Sequence, residues 1–218
     1  MVQNLELASL LLRTADYLLQ RAQYGQAEPL YLRALHIREQ SLGREHPQVA
    51  FPLGGLAELY QEQGHYQQAE PLYQRALHLW EPTLGSTHPQ VAVPLNGLAI
   101  LYREQGHYEQ AEALYQRALA IRRKQRGDQH PETAETLHEF APLQGLRNQP
   151  EEALPLYEQA LFIRVRVLGL EHPHTVDTRT RYAHLLRACG RTVEADALEA
   201  VSTKQAATGD DEPLRLRP

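Results

Sequence analysis

The 218 residues predict an all-α fold, a right-handed α-solenoid of tandem antiparallel helix pairs. Three observations carry that expectation. First, His-Pro occurs at His46-Pro47, His88-Pro89, His130-Pro131 and His172-Pro173, each 42 residues after the last. Second, the surrounding positions repeat in phase: Gly43, Gly85, Gly127 and Gly169; Ala27, Ala69, Ala111, Ala153 and Ala195; Leu30-Tyr31, Leu72-Tyr73, Leu114-Tyr115 and Leu156-Tyr157. Third, each period holds two apolar stripes at helical spacing. Leu53, Leu56, Ala57 and Tyr60 form one, and Ala69, Leu72, Tyr73, Ala76, Leu77 and Trp80 the other. No stretch alternates with period two, so strands are not expected.

In chain order, five repeats fit: 5–43, 47–85, 89–127, 131–169 and 173–202, followed by a disordered tail over 203–218 that has no apolar period. Within repeat two, Gly64 suits a left-handed helix end and Gly85 closes the second helix. The next first helix restarts at Pro89, where the missing amide proton has no partner to lose. Repeat one lacks the His-Pro start, and repeat five carries a degraded second helix (Thr192, Val193, Glu194, Asp196), as end repeats do. Pro29, Pro71 and Pro155 are expected in the first turn of their second helices, where proline is tolerated. Pro52 and Pro94 predict irregular starts to their helices. Pro142 lies mid-helix and predicts a kink or break. Repeat four also lacks the turn glycine (Asn148) and turn tyrosine (Pro150), which makes it the expected weak link.

Leu53, Leu56-Ala57, Tyr60, Gly64, Tyr66, Ala69, Tyr73 and Ala76, with the linker Ile-Arg-x-x-x-x-Gly-x-x-His-Pro at 37–47, 121–131 and 163–173, resemble the tetratricopeptide repeat in the 42-residue form found in kinesin light chains. The resemblance covers about residues 5 to 200. It implies a non-enzymatic protein-interaction scaffold whose first helices line a concave, peptide-binding groove. Kinesin light chains carry paired asparagines at these groove positions. Here Asn96 alone matches; Gly54-Gly55, Gly97, His138-Glu139 and Thr180-Arg181 take the other places. The resemblance therefore implies general peptide binding and does not imply a motor subunit.

Composition narrows the function further. Net charge is −5 and no basic stripe is interleaved with aromatics, which argues against nucleic acid. The single cysteine, Cys189, cannot form an internal disulfide. No apolar run nears membrane-spanning length and the N-terminus does not read as a signal peptide, so a soluble cytoplasmic protein is expected. No phosphate loop, nucleophile elbow or Cys-His pair appears, so neither enzymatic activity nor a cofactor is expected. The His-Pro histidines, one per repeat, sit too far apart to share a metal ion and are expected at helix starts. Glu28, Glu70 and Glu112 are expected to favour the positive end of the second helices.

The stripe next to the packed one gives the expected peptide-binding face: Arg13, Asp16 and Gln20; Glu58, Gln61 and Glu62; Asn96, Arg103 and Glu104; His138 and Glu139; Thr180, Arg181, His184 and Arg187. Arg103, Arg181 and Arg187 are expected to favour acidic residues in a partner. Glycine inside a helix costs about 1 kcal/mol against alanine, so Gly54, Gly55 and Gly97 imply a close approach. A protein or peptide is the expected partner. A regulatory arm of a larger signalling ATPase or hydrolase, and weak self-association through the solenoid ends, are the alternatives.

Overall fold

The computed structural model describes residues 2–208, with side chains over 3–200. Among them are ten α-helices and no strand. The chain divides into two compact units, Met1–Gly127 and Asp128–Pro218. The first holds α1 (Val2–Gln20), α2 (Tyr24–Leu42), α3 (Ala50–Glu62), α4 (Tyr66–Leu84), α5 (Pro89–Glu104) and α6 (Tyr108–Arg126). The second holds α7 (Pro131–Leu146), α8 (Pro150–Leu168), α9 (Pro173–Ala188) and α10 (Thr192–Thr208). α10 thus continues past the boundary expected at 202, and 209–218 of the expected tail lie outside the described residues.

Within each pair, the first helix ends in the same turn. The His65 N–H donates to the Tyr60 carbonyl (2.8 Å) and the Gly64 N–H to that of Gln61 (2.9 Å), closing the helix with a Schellman motif. The motif needs a left-handed residue, supplied by Gly64 (φ 74°), Gly106 (81°), Gly190 (77°) and, in the two glycine-less repeats, Asn148 (59°) and Ala22 (55°). Asparagine tolerates this conformation, so repeat four keeps its turn despite the missing glycine. Alanine does not. Ala22→Gly is expected to stabilise the protein by about 1 kcal/mol in urea unfolding; an unchanged midpoint would contradict strain at this turn.

The His-Pro motif starts the first helices. Nδ1 of His46, His88, His130 and His172 accepts the N–H of Gln48, Gln90, Glu132 and His174 at 3.2–3.3 Å, a side-chain N-cap. The linker arginine completes the joint. Arg38 Nη1 donates to the Gln48 carbonyl (2.6 Å), and Arg164 Nη1 to the His174 carbonyl (2.9 Å), the same contact three repeats later. Both guanidiniums are buried. In repeat two the place of this arginine is taken by Trp80, packed edge-on against Phe51 with centroids 5.3 Å apart.

The prolines depart from expectation in part. Pro29, Pro71 and Pro155 occupy the sixth residue of their helices, one turn later than expected, and the helices run through them. Pro52 does follow an irregular start, a 3-10 turn at Pro47–Val49 before α3, whereas α5 runs unbroken through Pro94. α7 likewise continues through Pro142 without a break. Neighbouring packing outweighs the one lost bond in each case.

The core lies between consecutive pairs. Ala8, Leu12 and Ala15 of α1 meet Ala27, Tyr31 and Ala34 of α2 and Leu56 and Leu59 of α3. One step on, Ala57, Ala69 and Tyr73 meet Leu98 and Leu101. In the second unit Ala141 packs on Ala153 and Tyr157, and Leu154 on Ala183, Leu186 and Ala195. Alanines let the backbones close up and the tyrosine ring fills the seam.

Candidate functional site: the first-helix face

In the first unit α1, α3 and α5 lie side by side and present the face expected to bind a partner. Its residues are not equally available. Arg13, Asp16, Glu58 and Glu62 are exposed, Gln61 and Arg103 half-buried, and Asn96 buried at 5% exposure. In the second unit Arg181 and His184 are exposed, Arg187 is half-buried and His138 is buried at 3%.

Tyrosines from the second helices reach up to this face from below. Tyr31 Oη donates to Asp16 Oδ1 (2.7 Å) and Tyr73 Oη to Gln61 Oε1 (3.0 Å), while Tyr115 Oη accepts from Arg103 Nη1 (3.3 Å). Burial, reinforced by the Asp16 carboxylate, pushes the Tyr31 phenol far up. These rings explain two of the glycines. A Cβ on Gly55 would lie 2.3 Å from the Tyr31 ring, and one on Gly97 2.3 Å from the Tyr73 ring. The close approach inferred from sequence is thus intramolecular at both positions. Gly54 differs: a Cβ there meets nothing within 4 Å.

Charges on the face are engaged from within. Arg103 donates to Glu104 at 2.9 Å, Arg181 to Asp177 at 3.1 Å, and Arg187 to Asp196 and Glu199 at 2.8 and 2.7 Å. A partner's carboxylate would have to compete with these. The Arg103 side chain is only 10% exposed, so its replacement also removes packing.

Glu28, Glu70 and Glu112 fall on the fifth residue of their helices, past the first turn where they were expected at the positive helix end, and Glu28 and Glu70 serve a different contact. Tyr60 Oη donates to Glu28 (2.7 Å) and Tyr102 Oη to Glu70 (3.1 Å), each tying one repeat to the next. The hydrogen bond to Glu28 and partial burial push the Tyr60 phenol up to about 12. On the second helices, Arg75 holds Glu39 at 2.7 Å and Arg117 holds Glu81 in the same register.

His138 belongs to a buried polar cluster that sequence reading missed. Its Nε2 lies 3.0 Å from Asp177 Oδ2 and its Nδ1 3.3 Å from Thr178 Oγ1. Thr178 also accepts from Arg164 Nη1 (2.5 Å) and donates to the His174 carbonyl (2.8 Å). Burial, with the Arg164 charge beside it, pushes the imidazole down to about 4. Threonine, histidine and aspartate in line resemble a catalytic triad, but the hydroxyl is fully buried and committed to the backbone. The cluster joins α7, α8 and α9. A threonine inside α9, Thr178, was the trace of it in sequence.

On the first-unit face, among the described residues, Asn96 Oδ1 is buried without a hydrogen bond. Asn96 follows Gly54 by one period, so the unpaired oxygen and a buried glycine share a register on neighbouring helices.

Comparison with known proteins agrees with this architecture. The tetratricopeptide repeat model matches over 6–78, 53–124 and 105–164. No curated protein matches the chain. Among solved structures, BtubC (BKLC) from P. vanneervenii is 24% identical, with a TM-score of 0.78 over 100% of this chain and 87% of that one. A putative kinesin light chain from Podosopora anserina with nearly identical TPR-like repeats is 29% identical, with a TM-score of 0.74 over 96% and 99%. The Rap conjugation gene regulator of plasmid pLS20, solved in complex with the Phr* peptide, is 16% identical, with a TM-score of 0.69 over 90% of this chain and 52% of that one. With matches over most of its length and helix pairs repeating every 42 residues, the chain belongs to the tetratricopeptide repeat family and takes its kinesin-light-chain-like form.

Proposed function

We propose that the protein is a non-enzymatic interaction scaffold that binds an extended peptide segment of a partner protein along the first-helix face of α1, α3 and α5. The observation that carries the reading is the buried, unpaired Oδ1 of Asn96. An unsatisfied buried acceptor costs about 1–3 kcal/mol, and an apolar residue of similar shape would remove that cost. A peptide N–H donating to this oxygen gives the asparagine a reason to be there, and Gly54, itself buried, has no side chain to block the approach. Arg13, Asp16, Glu58, Gln61, Glu62 and Arg103 would line the rest of the face on α1, α3 and α5, and Arg181, His184 and Arg187 hold the corresponding positions of the second unit, where His138 is buried and not available. The fold supports the class of partner, since a Rap protein of the same architecture is solved with a peptide. Among the described residues no helix is long and apolar enough to cross a membrane, consistent with a cytoplasmic scaffold.

The test is selection of ligands from a displayed peptide library on the full chain, followed by titration of Asn96→Leu. The substitution is expected to weaken binding by at least about tenfold, or 1.4 kcal/mol, while leaving thermal stability equal or higher. Unchanged affinity in Asn96→Leu would remove the basis of the assignment.

A further inference from the structure

The stripe that carries Gly55 and Gly97 has two unlike edges. On α3 it runs Phe51, Gly55, Glu58 and Glu62, and one period later on α5 Val93, Gly97, Ile100 and Glu104. The edge at the helix starts is apolar, with Phe51 at 40% and Val93 at 42% exposure. Packing does not demand this. The same position is Ser9 on α1, Glu135 on α7 and Asp177 on α9, polar and exposed in each. Nor can Phe51 turn inward. Trp80, itself buried, fills the space behind it, edge-on with centroids 5.3 Å apart, and the Arg38 guanidinium lies 5.4 Å from its ring centre.

The opposite edge, at the helix ends, is acidic. Asp16, Glu58, Glu62 and Glu104 are exposed there. The Arg103 side chain among them is only 10% exposed and donates to Glu104 at 2.9 Å, so the edge stays negative. Between the two edges Gly55 and Gly97 leave a bare floor, the outward consequence of the Tyr31 and Tyr73 rings beneath. Asn96, with its unpaired Oδ1, borders that floor next to Gly97 and one turn from Val93.

One hydrogen bond sets the chemistry of a strand bound over this floor. In a strand the N–H groups lie across the line of the side chains, which alternate between opposite sides. An N–H pointing down at Asn96 therefore sends successive side chains toward the two edges in turn. Side chains on one side recur about every 7 Å, close to the spacing of about 8–10 Å between packed helices, so each helix meets one side chain at each edge. Apolar side chains fit the edge of Phe51 and Val93, and basic ones fit the carboxylate edge.

We propose that the segment bound on the first-helix face is an extended strand of alternating apolar and basic residues. Its apolar side chains rest on Phe51 and Val93, and its basic ones lie against Asp16, Glu58 and Glu62. The proposal rests on the peptide-binding reading of this face and reverses the acidic partner that the arginines imply in sequence.

Calorimetric titration of the full chain with the hexapeptide amide acetyl-Leu-Lys-Leu-Lys-Leu-Lys tests it. The controls are the block isomer acetyl-Leu-Leu-Leu-Lys-Lys-Lys and the glutamate analogue acetyl-Leu-Glu-Leu-Glu-Leu-Glu. The alternating lysine peptide is expected to bind at least about tenfold tighter than either. The block isomer has the same charge, so it corrects for general attraction to a chain of net charge −5. Val93→Ser, and Glu58→Gln combined with Glu62→Gln, should each weaken binding by at least about threefold. Equal binding of the block isomer, tighter binding of the glutamate analogue, indifference to these substitutions, or no binding of the alternating lysine peptide overturns the proposal. If library-selected peptides still lose affinity in Asn96→Leu, the binding face stands and only the strand pattern falls; if they do not, the face itself falls.

Discussion

Gly97→Val is expected to destabilise the first unit by about 2–3 kcal/mol, while Gly54→Ala stabilises it by about 1 kcal/mol. Both glycines sit inside helices, and helix propensity alone says that each replacement helps. Space decides the sign. A Cβ on Gly97 falls 2.3 Å from the Tyr73 ring, and that ring cannot retreat: it is 3% exposed, packs with Ala57, Ala69, Leu98 and Leu101, and its hydroxyl donates to Gln61. A Cβ on Gly54 meets nothing within 4 Å. Denaturant unfolding of the two variants reads the contrast directly. Adding Tyr73→Leu to Gly97→Val should recover part of the loss, a coupling that a double-mutant cycle isolates. A neutral Gly97→Val would mean that the ring is not held in the seam.

Acidification from pH 7 to pH 5 is expected to cost the second unit about 2 kcal/mol through His138 alone. The sign follows from linkage. The imidazole is held down to about 4 in the folded protein and returns to about 6.5 when unfolded. Between those values the unfolded chain binds a proton that the folded chain refuses, so stability falls as pH drops through the window. Below about 4 the folded form is protonated too and this group costs nothing further. His174, lowered in the same direction by burial beside Arg164, adds to the slope. His138→Gln keeps hydrogen-bonding groups in the cluster without titrating, so urea unfolding of this variant should lose most of the dependence between pH 5 and 7. An equal slope in both proteins would place the imidazole outside the buried network.

The repeat was legible in sequence because identity at a fixed period reports one contact made several times. His46, His88, His130 and His172 could be assigned to helix starts, and the structure gives each the same backbone N–H. The left-handed turn in repeat four was not legible, since Asn148 does with a tolerant side chain what glycine does elsewhere. Prolines 29, 71 and 155 misled as to their place in the helix, and Pro142 makes no break for a related reason: one lost backbone bond is a local term, and packing between repeats exceeds it. The candidate face was found as a stripe, but not its chemistry. Periodicity cannot tell that Gly55 and Gly97 answer to Tyr31 and Tyr73, that Arg187 is spent on Asp196 and Glu199, or that His138 is buried. Those facts depend on side chains of neighbouring helices, 9 residues away for Asp196 and 40 for Thr178. The unpaired oxygen of Asn96 is visible only once its surroundings are known.

The most direct measurement of where the partner sits is amide hydrogen exchange of the full chain with and without a saturating selected peptide. Slowed exchange concentrated on the first helices, around Gly54–Glu62 of α3 and Asn96–Glu104 of α5, with α4 and α6 unchanged, is the predicted result. Protection confined to the second helices, with α3 and α5 exchanging as in the free protein, would contradict the assignment of the binding face.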